Sequence, residues 1–284
     1  MKPERARVLA EAPEELTSGR LRRLGEGIGK VVYASSHWVV KRERSTSAVL
    51  ALILMWKIVR RVETFLPGRL FEHPSRQIRL LRVFIQAVML IVPRSLWFAT
   101  HVGEVWRVYR ARDLHGHGLE QTRLQGTPLV PRRVEFPPTR VSVGGWPGWL
   151  TVSEAVERVE STLYARLNEL ALAGRYDLIE LWLERYLASW PASWQCGVFS
   201  VDAHLKNFGI TGDRVVLLDP GGLTDRWPDI EKRLRFEASF PEPHLHLGLG
   251  PMLESCPDLA ARFNTQWKSM LDVDQVRPHF PHEG

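Results

Sequence analysis

The residues best placed to do chemistry lie in one stretch, Gly197–Asp225, which reads GVFSVDAHLKNFGITGDRVVLLDPGGLTD. Asp202 and Asn207 share a short loop between apolar segments. Phe208–Ile210, the turn Thr211-Gly212-Asp213-Arg214 and Val215–Leu218 predict a tight hairpin. Asp219 ends its second strand, and Pro220-Gly221-Gly222 forces a turn behind it. Such a hairpin would bring an acid, an amide and a second acid to one edge. That set suits transfer of a phosphoryl group, which needs an acid to orient a hydroxyl and oxygen ligands for Mg²⁺. Each residue alone has a blander role, since Asp202 and Asn207 could cap a turn and Asp219 could be simple turn chemistry.

The elements that must hold these groups are strands first and helices later. Leu21–Leu24 leads into Gly25-Glu26-Gly27-Ile28-Gly29, then Lys30-Val31-Val32-Tyr33, a polar turn at Ser35–His37, and Trp38-Val39-Val40-Lys41. Apolar runs separated by Gly- and Ser-rich turns predict three consecutive antiparallel strands. Helices are expected at Thr46–Phe65, stopped by Pro67-Gly68, and at Pro74–Ile91. Leu96–Thr100 and Val105–Arg110 suggest a further hairpin, and residues 111–150 carry no clear pattern. Val152–Ala173, with Ser153, Glu154 and Glu157 suited to its start, and Tyr176–Ser189 show helical periodicity.

With the order established, the chain resembles the protein-kinase-like superfamily. Asp202-Ala-His204-Leu-Lys-Asn207 followed by Asp219-Pro-Gly is similar to the D-x-x-x-x-N and DFG motifs. Its D-x-H-x-x-N form is nearest to aminoglycoside phosphotransferases, choline-kinase-like enzymes and lipopolysaccharide-core kinases. The resemblance implies a two-lobed α+β fold with a small antiparallel-sheet N-lobe and a shortened, mainly helical C-lobe. It divides the chain into an extension (1–20), an N-lobe (21–110) and a C-lobe (111–284). It gives Asp202 the catalytic-base position and Asn207 and Asp219 the metal positions, with His204 structural. Gly25, Gly27 and Gly29 would cover the phosphates and Lys41 would contact them. Glu63, with Glu72 second, would be the helix carboxylate that pairs with Lys41 and fixes its ammonium. ATP and Mg²⁺ are the implied cofactors, and the acceptor would be a hydroxyl on a small molecule, sugar or lipid-linked glycan. The alternative is a nucleotide-binding pseudokinase acting as regulator or scaffold. The chain departs from the family in Pro220 for phenylalanine, a G-x-G-x-G loop, Ser200 at the histidine of HRD and no A-P-E motif.

Composition sets outer bounds. The chain has 284 residues, a formal charge of +6 and a sequence pI near 9.6, which favours anionic partners without choosing among them. Cys196 and Cys256 are the only cysteines, so neither a disulfide framework nor a zinc cluster is expected. His115 with His117, and His244 with His246, lack ligands at metal spacing and are expected to be loop histidines. No nucleic-acid module is recognised, so no nucleic acid is expected as a partner. The first 20 residues lack an apolar core, and a reducing, cytoplasmic setting is the expectation. Ala48–Trp56 and Val83–Val92 are shorter than the roughly 20 residues that span a bilayer and are expected to be buried helices. Their flanking arginines keep peripheral contact with the inner face of a membrane as the alternative.

Overall fold

A computed structural model describes residues 7–26, 30–45, 48–49, 96–145 and 147–280, of which Glu26 and 96–105 by their backbone alone. The helices expected at Thr46–Phe65 and Pro74–Ile91 therefore lie, apart from Ala48 and Val49, outside the described residues.

The described chain is α+β. Strands β1 (Arg7–Val8), β2 (Arg20–Glu26), β3 (Lys30–Ala34), β4 (Trp38–Glu43), β5 (Arg133–Val143) and β6 (Trp149–Glu157) form one mixed sheet. Its order is β1-β5-β2-β3-β4-β6, and β5 also pairs with β6, so the sheet closes on itself. The consecutive antiparallel strands β2, β3 and β4 are those that the alternating sequence predicts. Alternation decides their faces. Val31, Tyr33 and Val40 turn inward and pack with Leu16 of the short helix α1 (Glu14–Thr17), Leu21, Val134, Phe136, Val141 and Val143 as one apolar cluster. The β5–β6 register slips between Glu135 and Thr139, where Pro137 and Pro138 have no N–H to offer the ladder.

Two expectations are corrected here. Leu96–Thr100 and Val105–Arg110 are not a hairpin but parts of one helix, α2 (Leu96–Leu119), which runs on into a π-helical turn at Glu120–Leu124. Val152–Ala173 is not one helix. Its first part is β6, and a separate helix α3 (Leu163–Leu172) begins behind the short strand β7 (Ser161–Thr162). The Thr162 hydroxyl accepts from Ala165 N at 3.2 Å, so Thr162 and not Ser153 caps this helix.

Helix α4 (Tyr176–Gln195) is longer than its periodicity predicts and continues through Pro191. Its buried face, Ile179, Trp182, Leu183, Tyr186, Trp190 and Trp194, follows the three-and-four spacing of a core helix. Helices α5 (Trp227–Ala238) and α6 (Pro257–Met270) pack around it. Tyr186 stacks on Trp267 at 5.8 Å between centroids and meets Phe208 edge-on at 4.9 Å. This aromatic cluster carries the base of the predicted hairpin, now seen as β9 (Phe208–Thr211) and β10 (Arg214–Leu217). Strands β8 (Phe199–Ser200) and β11 (Leu223–Thr224) pair beside it.

Candidate functional site

The loop that carries Asp202 is held from several sides. The buried Tyr186 hydroxyl donates to Ala203 O at 2.8 Å, and its burial raises the phenol's pKa well above the usual value. Ser200 Oγ donates to Asp202 O at 3.2 Å, and Val201 N donates to Gly222 O at 2.8 Å. His204 N donates to Asp202 Oδ1 at 3.3 Å, which turns the exposed carboxylate along its own loop. The imidazole of His204 is itself exposed.

Asn207 and Asp219 are brought together by the hairpin. Leu217 pairs with Phe208, and Leu218 N donates to Asn207 O at 2.7 Å, so Asn207 and Asp219 flank the last rung. Asp219 is exposed, and its Oδ1 accepts from Gly221 N at 3.2 Å in the turn Pro220–Gly222. That turn also touches the Asp202 loop: a methyl carbon on Gly222 would lie 2.9 Å from Asp202 Cβ. The three predicted residues therefore occupy neighbouring positions on two loops that touch.

The sheet reaches the same place through Lys41, whose Nζ donates to Leu218 O at 2.8 Å, one residue before Asp219. Lost hydration of the ammonium lowers the pKa of Lys41, against the attraction of Glu120 and Asp219 and with the repulsion of Lys30 and Arg133. Gly25 lies in β2 just past a register slip between Arg23 and Gly25, with open space around it. Gly27 and Gly29 lie outside the described residues, as do Glu63 and Glu72.

Helix α2 supplies what the sequence did not disclose. Gly116 packs against the turn Pro220–Gly222 so closely that a methyl carbon there would lie 2.0 Å from Pro220 O. Asp113 lies against Gly221, and its carboxylate takes the ammonium of Lys30 at 3.1 Å. His117 Nε2 contacts the same ammonium at 2.6 Å, and His117 Nδ1 contacts Glu120 Oε2 at 3.3 Å. His117 thus bridges the Lys30 ammonium and the Glu120 carboxylate through its two ring nitrogens. Burial would raise the Glu120 pKa, but the His117 hydrogen bond and the charges of Lys41 and Arg133 hold it below the ordinary 4.5. Thus Glu120 is the helix carboxylate that Lys41 feels among the described residues. Tyr109, stacked on Trp106 at 5.3 Å, has its pKa raised by burial and by the nearby charges of Asp219, Asp113 and Asp202. The spacing of Tyr109, Asp113, Gly116, His117 and Glu120 along one helix face is the signal that could have found them.

The remaining candidates have structural settings. His115 lies on α2 and contacts Asp225 Oδ1 at 3.0 Å, so it is not a loop histidine. His244 is buried against Asn264, and His246 stacks on Phe240 at 4.1 Å. Cys196 is half-buried, and burial raises its thiol pKa. Among the described residues no group of three His, Cys, Asp or Glu side chains forms a ready metal site, and no helix is long and apolar enough to cross a membrane.

No protein-family model matches this chain, and no curated protein matches it.

Proposed function

We propose that this chain is a divergent protein-kinase-like phosphotransferase that moves the γ-phosphoryl group of ATP to a hydroxyl acceptor. The observation that carries the proposal is the bond from Lys41 on β4 to Leu218 O. It sets a sheet lysine one residue from Asp219, beside Asn207 and across the turn from Asp202. In this reading the closed sheet with α2 is the nucleotide-binding lobe, and α3 to α6 with the β9–β10 hairpin form the catalytic lobe.

Asn207 and Asp219 fit a Mg²⁺ site by their chemistry: an amide oxygen and a partly free, exposed carboxylate are hard oxygen donors, with room for water. When bound, the ion would neutralise charge on the phosphates. The protein's own groups do the rest. Lys41 gives up Leu218 O to a phosphate oxygen, while Glu120, tied by His117 and Arg133, keeps an opposite charge beside it. Asp202 accepts the acceptor hydroxyl's proton as that oxygen bonds to the γ-phosphorus and the bond to ADP breaks. Pre-positioned charge around the phosphates supplies most of the catalysis. Tyr109, half exposed and close to Asp202, forms the acceptor-side wall, and the acceptor class favoured is a small molecule, sugar or lipid-linked glycan.

The test combines binding with turnover. Mg²⁺·ATP should raise the melting temperature, because a ligand bound only by the native state stabilises it by mass action. Lys41→Ala and Asp219→Ala should each shrink that shift. Asp202→Asn should keep it while turnover with an acceptor falls roughly 10²–10⁴-fold. Binding without turnover in the wild type would leave the nucleotide-binding regulator. No shift at millimolar nucleotide would remove both.

A further inference from the structure

The proposed nucleotide site holds a second lysine with an unusual position. Lys30 begins β3 and directly follows Gly25-Glu26-Gly27-Ile28-Gly29 in the sequence. The β3–β4 register sets Val32 opposite Lys41 and Lys30 opposite Glu43. Directly opposed residues share a face, and residues two apart on a strand do too. Lys30, Val32 and Lys41 therefore stand on one face, the one turned away from Val31, Tyr33 and Val40 in the apolar cluster. Helix α2 and the Asp219 turn lie over that face.

The side chain of Lys30 is only 19% exposed, and its ammonium is engaged by both oxygens of Asp113 and by His117 Nε2. Asp113 in turn lies against Gly221, two residues past Asp219. The head of Lys30 is therefore anchored beside the turn that follows Asp219, where the outer phosphates would lie in this reading. The charge of Lys30 also acts on Lys41, which places the two ammonium groups in one field. A lysine on a flexible stem, held by a carboxylate and an imidazole, can exchange those partners for phosphate oxygens of higher charge.

We propose that Lys30 is a second phosphate-binding residue of this site, with Asp113 and His117 holding its ammonium in place when no nucleotide is bound. The inference rests on the nucleotide-binding reading above and adds a residue and a ligand preference to it: affinity that climbs with the number of phosphates.

The experiment measures affinities of the full chain for ATP, ADP and adenosine by thermal shift and calorimetry. Wild type is compared with Lys30→Met, Lys30→Arg and Asp113→Asn. Removal of a charge-assisted bond to phosphate should weaken ATP by about tenfold or more. ADP should lose less and adenosine nothing. Lys30→Arg should restore most of the preference for ATP over adenosine, because it keeps the charge. Asp113→Asn frees the ammonium and should leave ATP binding equal or tighter. If Lys30→Met fails to fold, Lys30→Gln, which keeps a donor for Asp113, replaces it with the same expectation. Equal losses for ATP and adenosine would reduce Lys30 to a structural ion pair. So would an unchanged ATP affinity in a folded Lys30→Met protein. In either case wild-type binding of Mg²⁺·ATP stands and only the role of Lys30 falls. A wild type that binds none of the three removes the nucleotide reading itself.

Discussion

The contact between α2 and the Asp219 turn can be tested with two neighbouring glycines. At Gly116 a methyl carbon would lie 2.0 Å from Pro220 O and 3.0 Å from Pro220 C, whereas at Gly118 it would meet nothing within 4 Å. Both sit in the same helix, so both alanine variants gain the same helical propensity, about 1 kcal/mol. At Gly118 that gain stands alone. At Gly116 the helix and the turn must separate by about 1 Å to bring the contact to even the shortest distance real Cβ atoms tolerate, 3.0 Å. Overpacking costs about 1–3 kcal/mol, and the upper end applies where both surfaces are backbone and neither can rotate away. The net expectation is a loss of about 2 kcal/mol for Gly116→Ala. For Gly118→Ala it is a gain of up to about 1 kcal/mol. The two variants should therefore differ by about 3 kcal/mol, or roughly 6–12 °C in melting temperature at about 2–4 °C per kcal/mol. Urea and thermal melts of the ligand-free protein measure this directly. Since the separation moves Asp219, Gly116→Ala should also lose most of its Mg²⁺·ATP shift. Should Gly116→Ala prove as stable as Gly118→Ala, the helix does not pack on this turn as described, and the cluster around Asp113 goes with it.

Glu120 has a lowered pKa, so its contribution to stability is present above its ordinary 4.5 and is lost as pH falls through the folded value. The stability advantage of wild type over Glu120→Gln, measured in urea, should be constant near neutrality and shrink on acidification; an advantage that grows in acid refutes the assignment. Lys41 has the opposite cost: its folded pKa is below 10.5, so the unfolded chain binds more protons, and stability rises with pH from the folded value towards 10.5. Relative to Lys41→Met, the wild type should gain stability across that alkaline window, and a flat difference would show that the ammonium keeps its hydration. A mixture with anionic liposomes tests the membrane alternative by flotation: binding that survives high salt would favour a lipid-linked acceptor, and its absence a diffusible one.

The parts of the site that were legible share one property: their signal is local. Asn207 and Asp219 flank a hairpin whose turn residues, Thr211–Arg214 and Pro220–Gly222, specify it within a short stretch of chain, and Asp202 lies in the loop just before it. Likewise β2, β3 and β4 follow from alternation and short turns. What misled was local mimicry. Leu96–Thr100 and Val105–Arg110 are short, rich in aromatic or β-branched residues and separated by Gly103, which imitates two strands and a turn. Ser153 with Glu154 imitates a helix start, though the alternation of buried Leu150 and half-buried Val152 with exposed Trp149 and Thr151 marks a strand.

Glu120 carried no signal of this kind. A carboxylate for Lys41 is expected on the helix directly after that strand, at Glu63 or Glu72, which lie outside the described residues; among the described ones, the charge of Glu120, in the π-helical turn that follows α2, acts on Lys41. Little that is apolar announces helix α2. Beside Trp106 and Leu119, its covered face carries Asp113, Gly116, His117 and Glu120, because what this part packs against is a polar turn and the ammonium of Lys30. Hydrophobic periodicity detects helices that serve the core. A helix that serves a charged site buries glycine for closeness and carboxylates for charge, and its period is then written in residues that a hydropathy pattern scores as exposed. The pattern to look for in such a case is acid, glycine, histidine, acid at three- and four-residue spacing, which Asp113, Gly116, His117 and Glu120 display.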